Sequence, residues 1–102
     1  MPATAIIEET DTKPDGSRYE LIAWSIPPSE AYPEGVKYSF QYMTADGETL
    51  LRYDNAPHHD DVARHHRHRF DGELESLEYT SLRNHAEQFL NEVNEIHDRR
   101  TD

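Results

Sequence analysis

"VKYSFQYMTADGETLLRYD", residues 36–54, decides the fold. Val36, Tyr38, Phe40 and Tyr42 alternate with Lys37, Ser39, Gln41 and Met43. A period of two is what a strand shows when its faces meet different surroundings. Ala45-Asp46-Gly47-Glu48 interrupts the run. An Asp-Gly pair between two such stretches signals a tight hairpin, because glycine reaches the backbone angles the turn needs. Thr49 to Asp54 is then the return strand, and Asp54-Asn55-Ala56-Pro57 stops it.

Working outward, residues 18–26 (RYELIAWSI) read as a strand with Ile22, Trp24 and Ile26 on one face and Tyr19, Leu21 and Ala23 on the other. Both faces are partly apolar, which suits a central position. Pro27-Pro28 ends it, since proline gives no donor to a ladder. Upstream, Pro14-Asp15-Gly16 is a turn, and residues 4–10 (TAIIEET) are the strand before it. Downstream, Asp71-Gly72 marks a turn and Leu74 to Tyr79 a last strand. Leu82, Ala86, Phe89, Leu90, Val93 and Ile96 recur at spacings of three and four, predicting a helix over 82–99 capped by Thr80 or Ser81. Its apolar stripe needs a partner, and the apolar face of the sheet is the large one available. The expected fold is α+β: an antiparallel sheet of four to five strands with one long C-terminal helix packed on one face, in a single domain over residues 1–102.

The chain carries a net charge of −11 and only two lysines, Lys13 and Lys37. This balance fits either a protein of a salt-rich cytoplasm or a surface kept soluble by repulsion. Absence of cysteine excludes disulfides, thiolate zinc centres and cysteine nucleophiles. No apolar run is long enough to span a membrane, and the first residues carry no secretory pattern, so the expected location is the cytoplasm. The charge is uneven. Residues 52–70 hold Arg52, Arg64, Arg67 and Arg69 against Asp54, Asp60 and Asp61, a net of +1 in an acidic chain. Within them, "HHDDVARHHRHRF" (58–70) gathers five histidines, and an irregular connection between strands is expected there. Imidazoles change protonation near neutral pH, so this island can carry a variable positive charge.

Three readings of that island stand side by side. The first is metal-independent RNA cleavage, with His66 and His68 as acid and base and Arg67 as the cation on the phosphate. On an extended segment the two histidines share a face and Arg67 points away, so a turn would be needed for all three to converge. Arg52 would bind phosphate beside them, Tyr53 and Asp54 would position the groups, and Arg64, Arg69, His58, His59 and His65 would add RNA contacts. Asp54 could instead cap the turn with Asn55. The second reading is a non-enzymatic module in which His58, His59, His65, His66 and His68, with Asp60 or Asp61, bind a transition metal or a partner. The third is a solvated loop without a task. Elsewhere, His85 and His97 are expected at surface or edge positions of the helix, and Trp24, Tyr38, Phe40 and Tyr42 either fill the core or stack on bases.

The order of these pieces resembles the TumE-type toxin family of toxin–antitoxin pairs. Its Asp-Gly turn before a strand ending in Trp-x-x-Pro matches Asp15-Gly16 and Trp24-Ser25-Ile26-Pro27. A proline loop and tyrosine-rich strand follow at 27–42, then Arg52-Tyr53-Asp54-Asn55, Ala56-Pro57-His58-His59 and His66-Arg67-His68. A Leu…Phe-Leu…Val helix closes the chain at Leu82, Phe89, Leu90 and Val93. The resemblance implies a toxin acting on RNA, neutralised by an antitoxin with a DNA-binding domain; a helix-turn-helix antitoxin and no cofactor are the expectations. It leaves the oligomeric state open, a homodimer included.

Overall fold

The structure, a computed structural model, describes residues 4–30, 32–55, 65–69 and 74–101. Among them, six strands form one sheet in the order in which they occur along the chain, each antiparallel to the next: β1 (Thr4–Thr12), β2 (Arg18–Ser25), β3 (Val36–Met43), β4 (Thr49–Asp54), β5 (His66–Arg69) and β6 (Leu74–Ser76). A helix, α1 (Leu82–Thr101), follows. The expected α+β architecture is the observed one. Four strands are long, and the two short ones, β5 and β6, lie at one edge.

The alternation read from residues 36–43 sets the core. Tyr38, Phe40 and Tyr42 are buried, and so are Leu21 and Ala23 on β2 and Leu51 and Tyr53 on β4. Register places Leu21 against Phe40, Phe40 against Tyr53 and Tyr42 against Leu51, so these side chains share one face. The helix covers that face. The Phe89 ring lies 5.7 Å from Phe40 and 5.1 Å from Tyr53, centroid to centroid, and Val93 is buried a turn later. Strand-spaced aromatics Tyr38, Phe40 and Tyr42 are therefore core, while Trp24 is half-buried in register with Lys37 on the opposite face.

The turns behave as their sequences dictate. Gly47 has φ +91°, open to glycine and strained for other residues, and its N–H donates to the Thr44 carbonyl at 3.0 Å. At the β1–β2 turn, Gly16 has φ +87°, and a Cβ there would meet Ala45 Cβ at 2.9 Å. That turn is locked to the core. The Asp15 carboxylate accepts from the Ser17 N–H and hydroxyl, and the Ser17 hydroxyl meets the Tyr42 hydroxyl at 2.9 Å. Ser81 rather than Thr80 caps α1, its hydroxyl accepting from the Asn84 N–H at 3.1 Å.

Asn55 has a task beyond the stop expected at 54–57, a stretch whose last two residues lie outside the described ones. It is fully buried, its Oδ1 accepts from the Tyr38 N–H at 3.0 Å, and its Nδ2 donates to the Val36 carbonyl at 2.8 Å. The side chain thus supplies β3 with a peptide-like partner where β4 stops. Asn55→Ala leaves both backbone groups unpaired, and a loss of about 1–3 kcal/mol in unfolding free energy is expected by urea titration.

His85 corrects an expectation. It is 1% exposed, packed among Tyr38, Tyr53, Tyr79 and His65 at centroid distances of 5.0–5.8 Å. Its place three residues after Leu82 and four before Phe89 puts it on the buried stripe. Burial, with the nearby His65 ring adding to it, lowers its pKa from 6.5 to about 4. A depressed imidazole means that the unfolded chain binds the proton first. Stability from this group is complete above pH 6.5 and drains away as pH falls towards 4, by roughly 3 kcal/mol at most. Denaturant titrations of the wild type and His85→Leu over that window check this: the variant should show a shallower loss on acidification.

Candidate active site

The histidine island is not irregular where it is described: His66 to Arg69 form β5. β5 pairs with β4 so that His66 stands opposite Asp54, Arg67 opposite Tyr53 and His68 opposite Arg52. Polar alternation carries no hydrophobic period, and the pairing partner makes the strand. One face of this corner, the face away from the helix, therefore carries Arg52, Asp54, His66 and His68. The other carries Tyr53, Arg67 and Arg69.

On the face away from the helix Asp54 is the hub. Its side chain is 6% exposed. Oδ1 pairs with His66 Nε2 at 2.7 Å; Oδ2 meets Arg52 Nε at 3.1 Å and His68 Nε2 at 3.6 Å. The two imidazoles are nearly perpendicular, 5.0 Å apart at their centroids. Exposure is graded: the His66 side chain is 2% exposed, His68 33% and Arg52 45%. A carboxylate at hydrogen-bond distance fixes the ring it faces and decides which nitrogen carries the proton there. His68 and Arg52 then offer an imidazole and a guanidinium to solvent.

On the helix side, Arg67 is engaged by two carboxylates. Nη1 donates to Glu92 Oε1 at 2.5 Å and Nη2 to Glu75 Oε2 at 2.6 Å. The Tyr53 hydroxyl donates to the same Glu92 oxygen. Burial, and behind it that hydrogen bond, pushes the Tyr53 hydroxyl above its ordinary pKa, so it stays protonated. Arg69 Nη1 reaches Glu75 at 3.2 Å. Beside this network lies a groove of about 510 Å³, where Arg99 and Arg100 approach from the end of α1. Arg67 and Tyr53 thus tie β4, β5, β6 and α1 together, on the side of the sheet opposite His66 and His68.

His65, one residue before β5, is buried. Its ring stacks on Tyr79 at 4.2 Å, and its Nδ1 meets the Tyr38 hydroxyl at 2.9 Å. Its carbonyl accepts from the Leu77 N–H at 2.8 Å, anchoring the entry to β5. His58, His59, Arg64 and the Asp71-Gly72 turn lie outside the described residues, as do Asp60 and Asp61.

The model of the family described as Toxin TumE matches residues 4–97, which takes in all six strands and most of the helix. The chain belongs to the TumE toxin family. No curated protein and no solved structure shows a significant match. A TumE toxin is the toxin component of a toxin–antitoxin pair, and a cognate antitoxin is its partner. No helix among the described residues is long and apolar enough to cross a membrane. The Arg-Tyr-Asp-Asn stretch of this TumE chain divides its labour by alternation: Arg52 and Asp54 on the face away from the helix, Tyr53 on the helix face, Asn55 closing the strand. The residues that sequence reasoning missed, Glu75 and Glu92, neutralise the guanidinium it had assigned to phosphate. Only the acidity of the stretch after β5 hinted at them.

Proposed function

We propose that the toxin cleaves RNA without a metal, using His66 and His68 as the proton-transfer pair and Arg52 as the phosphate-binding cation. The observation that carries this reading is the gathering of Arg52, His66 and His68 around Asp54 on the sheet face away from the helix. In the reaction the 2′-oxygen of a ribose forms a bond to the adjacent phosphorus, and the bond from phosphorus to the 5′-oxygen of the next nucleotide breaks. One imidazole takes the 2′-hydroxyl proton and the other gives a proton to the departing 5′-oxygen. A guanidinium on the non-bridging oxygens steadies charge as the phosphorus becomes five-coordinate. His68, the more exposed ring, meets the substrate first; Asp54 holds His66 in place behind it.

Charge supports a polarity for the bound strand. The same face carries Glu8 and Glu20 at the β1–β2 end, so phosphates are favoured at the β4–β5 end. Arg67 keeps a structural part in this proposal, and the antitoxin is a helix-turn-helix protein. The test is purified toxin with RNA in excess chelator. Fragments ending in 2′,3′-cyclic phosphate are the expected products. Absence of cleavage, or products with 5′-phosphate that form only when a divalent ion is added, would discard the mechanism.

A further inference from the structure

The hub on the face away from the helix has a second chemistry. Asp54, His66 and His68 present one ligand atom each, all within 4.8 Å of one another. They sit on two paired strands at fixed register, His66 directly opposite Asp54 and His68 two residues further along β5. We propose that Asp54, His66 and His68 form a capture site for a divalent transition ion such as zinc, and that filling it silences the toxin by taking both imidazoles out of proton transfer.

The geometry is close to what such an ion needs. Zinc holds imidazole nitrogen and carboxylate oxygen at about 2.0–2.2 Å, so neighbouring ligands in a tetrahedron stand about 3.4 Å apart. His68 Nε2 stands 3.6 Å from Asp54 Oδ2, close to that spacing, and the 2.7 Å between His66 Nε2 and Oδ1 has to open by about 0.7 Å as the carboxylate turns to share the ion with both rings. Two imidazoles and one carboxylate suit zinc, cobalt, nickel or copper far better than magnesium or calcium. The one-third exposed His68 side chain gives an ion a way in from solvent. A ring nitrogen releases any proton to solvent before its lone pair binds the ion, so in a filled site the bound nitrogens of His66 and His68 can no longer act as acid or base.

Arg52 sets the strength of this site. Its guanidinium pairs with the same carboxylate and repels a cation, yet its side chain is 45% exposed and held by a half-solvated contact of small worth. It can swing away when an ion arrives. The structure therefore assigns Arg52 opposite effects on two ligands: it helps an RNA phosphate and hinders a metal.

The metal-binding half of the proposal stands alone; the silencing half rests on the proposed RNA cleavage. Chelator-treated toxin titrated with zinc in a calorimeter should take up one ion per chain, and cobalt should give the visible absorption of a tetrahedral centre. Asp54→Asn and His68→Ala should each weaken binding on the order of a hundred-fold, and Arg52→Gln should tighten it. His68, being partly exposed, supplies a variant that folds even if Asp54→Asn does not. Binding that His68→Ala leaves unchanged, or a cobalt complex without tetrahedral absorption, would overturn the site. Stoichiometric zinc should stop RNA cleavage and chelator should restore it; zinc that binds through these residues and speeds cleavage would overturn the silencing. A chain that cleaves no RNA at all still decides the site through the calorimetric and optical readings.

Discussion

Toxin carrying His66→Ala and His68→Ala together is expected to lose RNA cleavage by at least about a thousand-fold and to stop arresting growth when expressed without its antitoxin. Each positioned proton-transfer group contributes typically 10²–10⁴-fold, and groups that act as a pair do not add. His66 is buried against Asp54, so its removal also strips a partner from a buried carboxylate. His68→Ala alone separates the two effects, because its ring is one-third exposed and its loss leaves Asp54 paired with His66 and Arg52. Capture of the cognate antitoxin by the variants reports whether the fold survives. Cleavage that persists at the wild-type rate in a folded double variant would remove both imidazoles from the mechanism.

Phe89→Ala is expected to be the most damaging single change to stability. The ring is fully buried and is the knob that α1 sets between Phe40 and Tyr53. Truncating a buried phenylalanine costs about 3–5 kcal/mol, a large part of the 5–15 kcal/mol that holds a small chain folded. At about 4–8 °C per kcal/mol for a chain of this size, the melting temperature should fall by more than 10 °C. Scanning calorimetry of the variant measures it. A drop of only a degree or two would mean that the helix is held to the sheet by something other than this contact, with the Arg67–Glu92 bridge the first alternative.

Most of the fold was legible because apolar alternation and turn chemistry agree in this chain. Tyr38, Phe40 and Tyr42 name the core face of β3, Asp46-Gly47 names the hairpin, and Leu82 to Ile96 names the helix. Legibility fails where a strand is made of polar residues. His66-Arg67-His68-Arg69 alternates in residue type but not in hydropathy, so nothing local marks it as β5; pairing with β4, more than ten residues back, does. The site followed the same division. His66, His68 and Arg52 share a face, as an extended segment requires, and the Asp54 carboxylate meets the His66 ring. The convergence of Arg67 on them needed a turn that strand pairing replaced. Its carboxylate partners come from Glu75 on β6 and Glu92 on α1, and no spacing in the sequence pairs them with it. His85 was within reach of sequence reasoning, since the helical spacing that selects Leu82 and Phe89 also selects it.

The four residues of β5 work as a reading frame. Even-numbered positions deliver imidazoles to Asp54 and odd-numbered ones deliver guanidiniums to Glu75 and Glu92 on the helix side. Inserting or deleting one residue inside the strand would exchange the two sets, driving histidines beneath α1 and stranding Glu92 and Glu75 without counter-ions. Diversification of this toxin is thus confined to whole-dipeptide steps or to connections outside the ladder, and a frame slip here would disarm and unfold the molecule in one event.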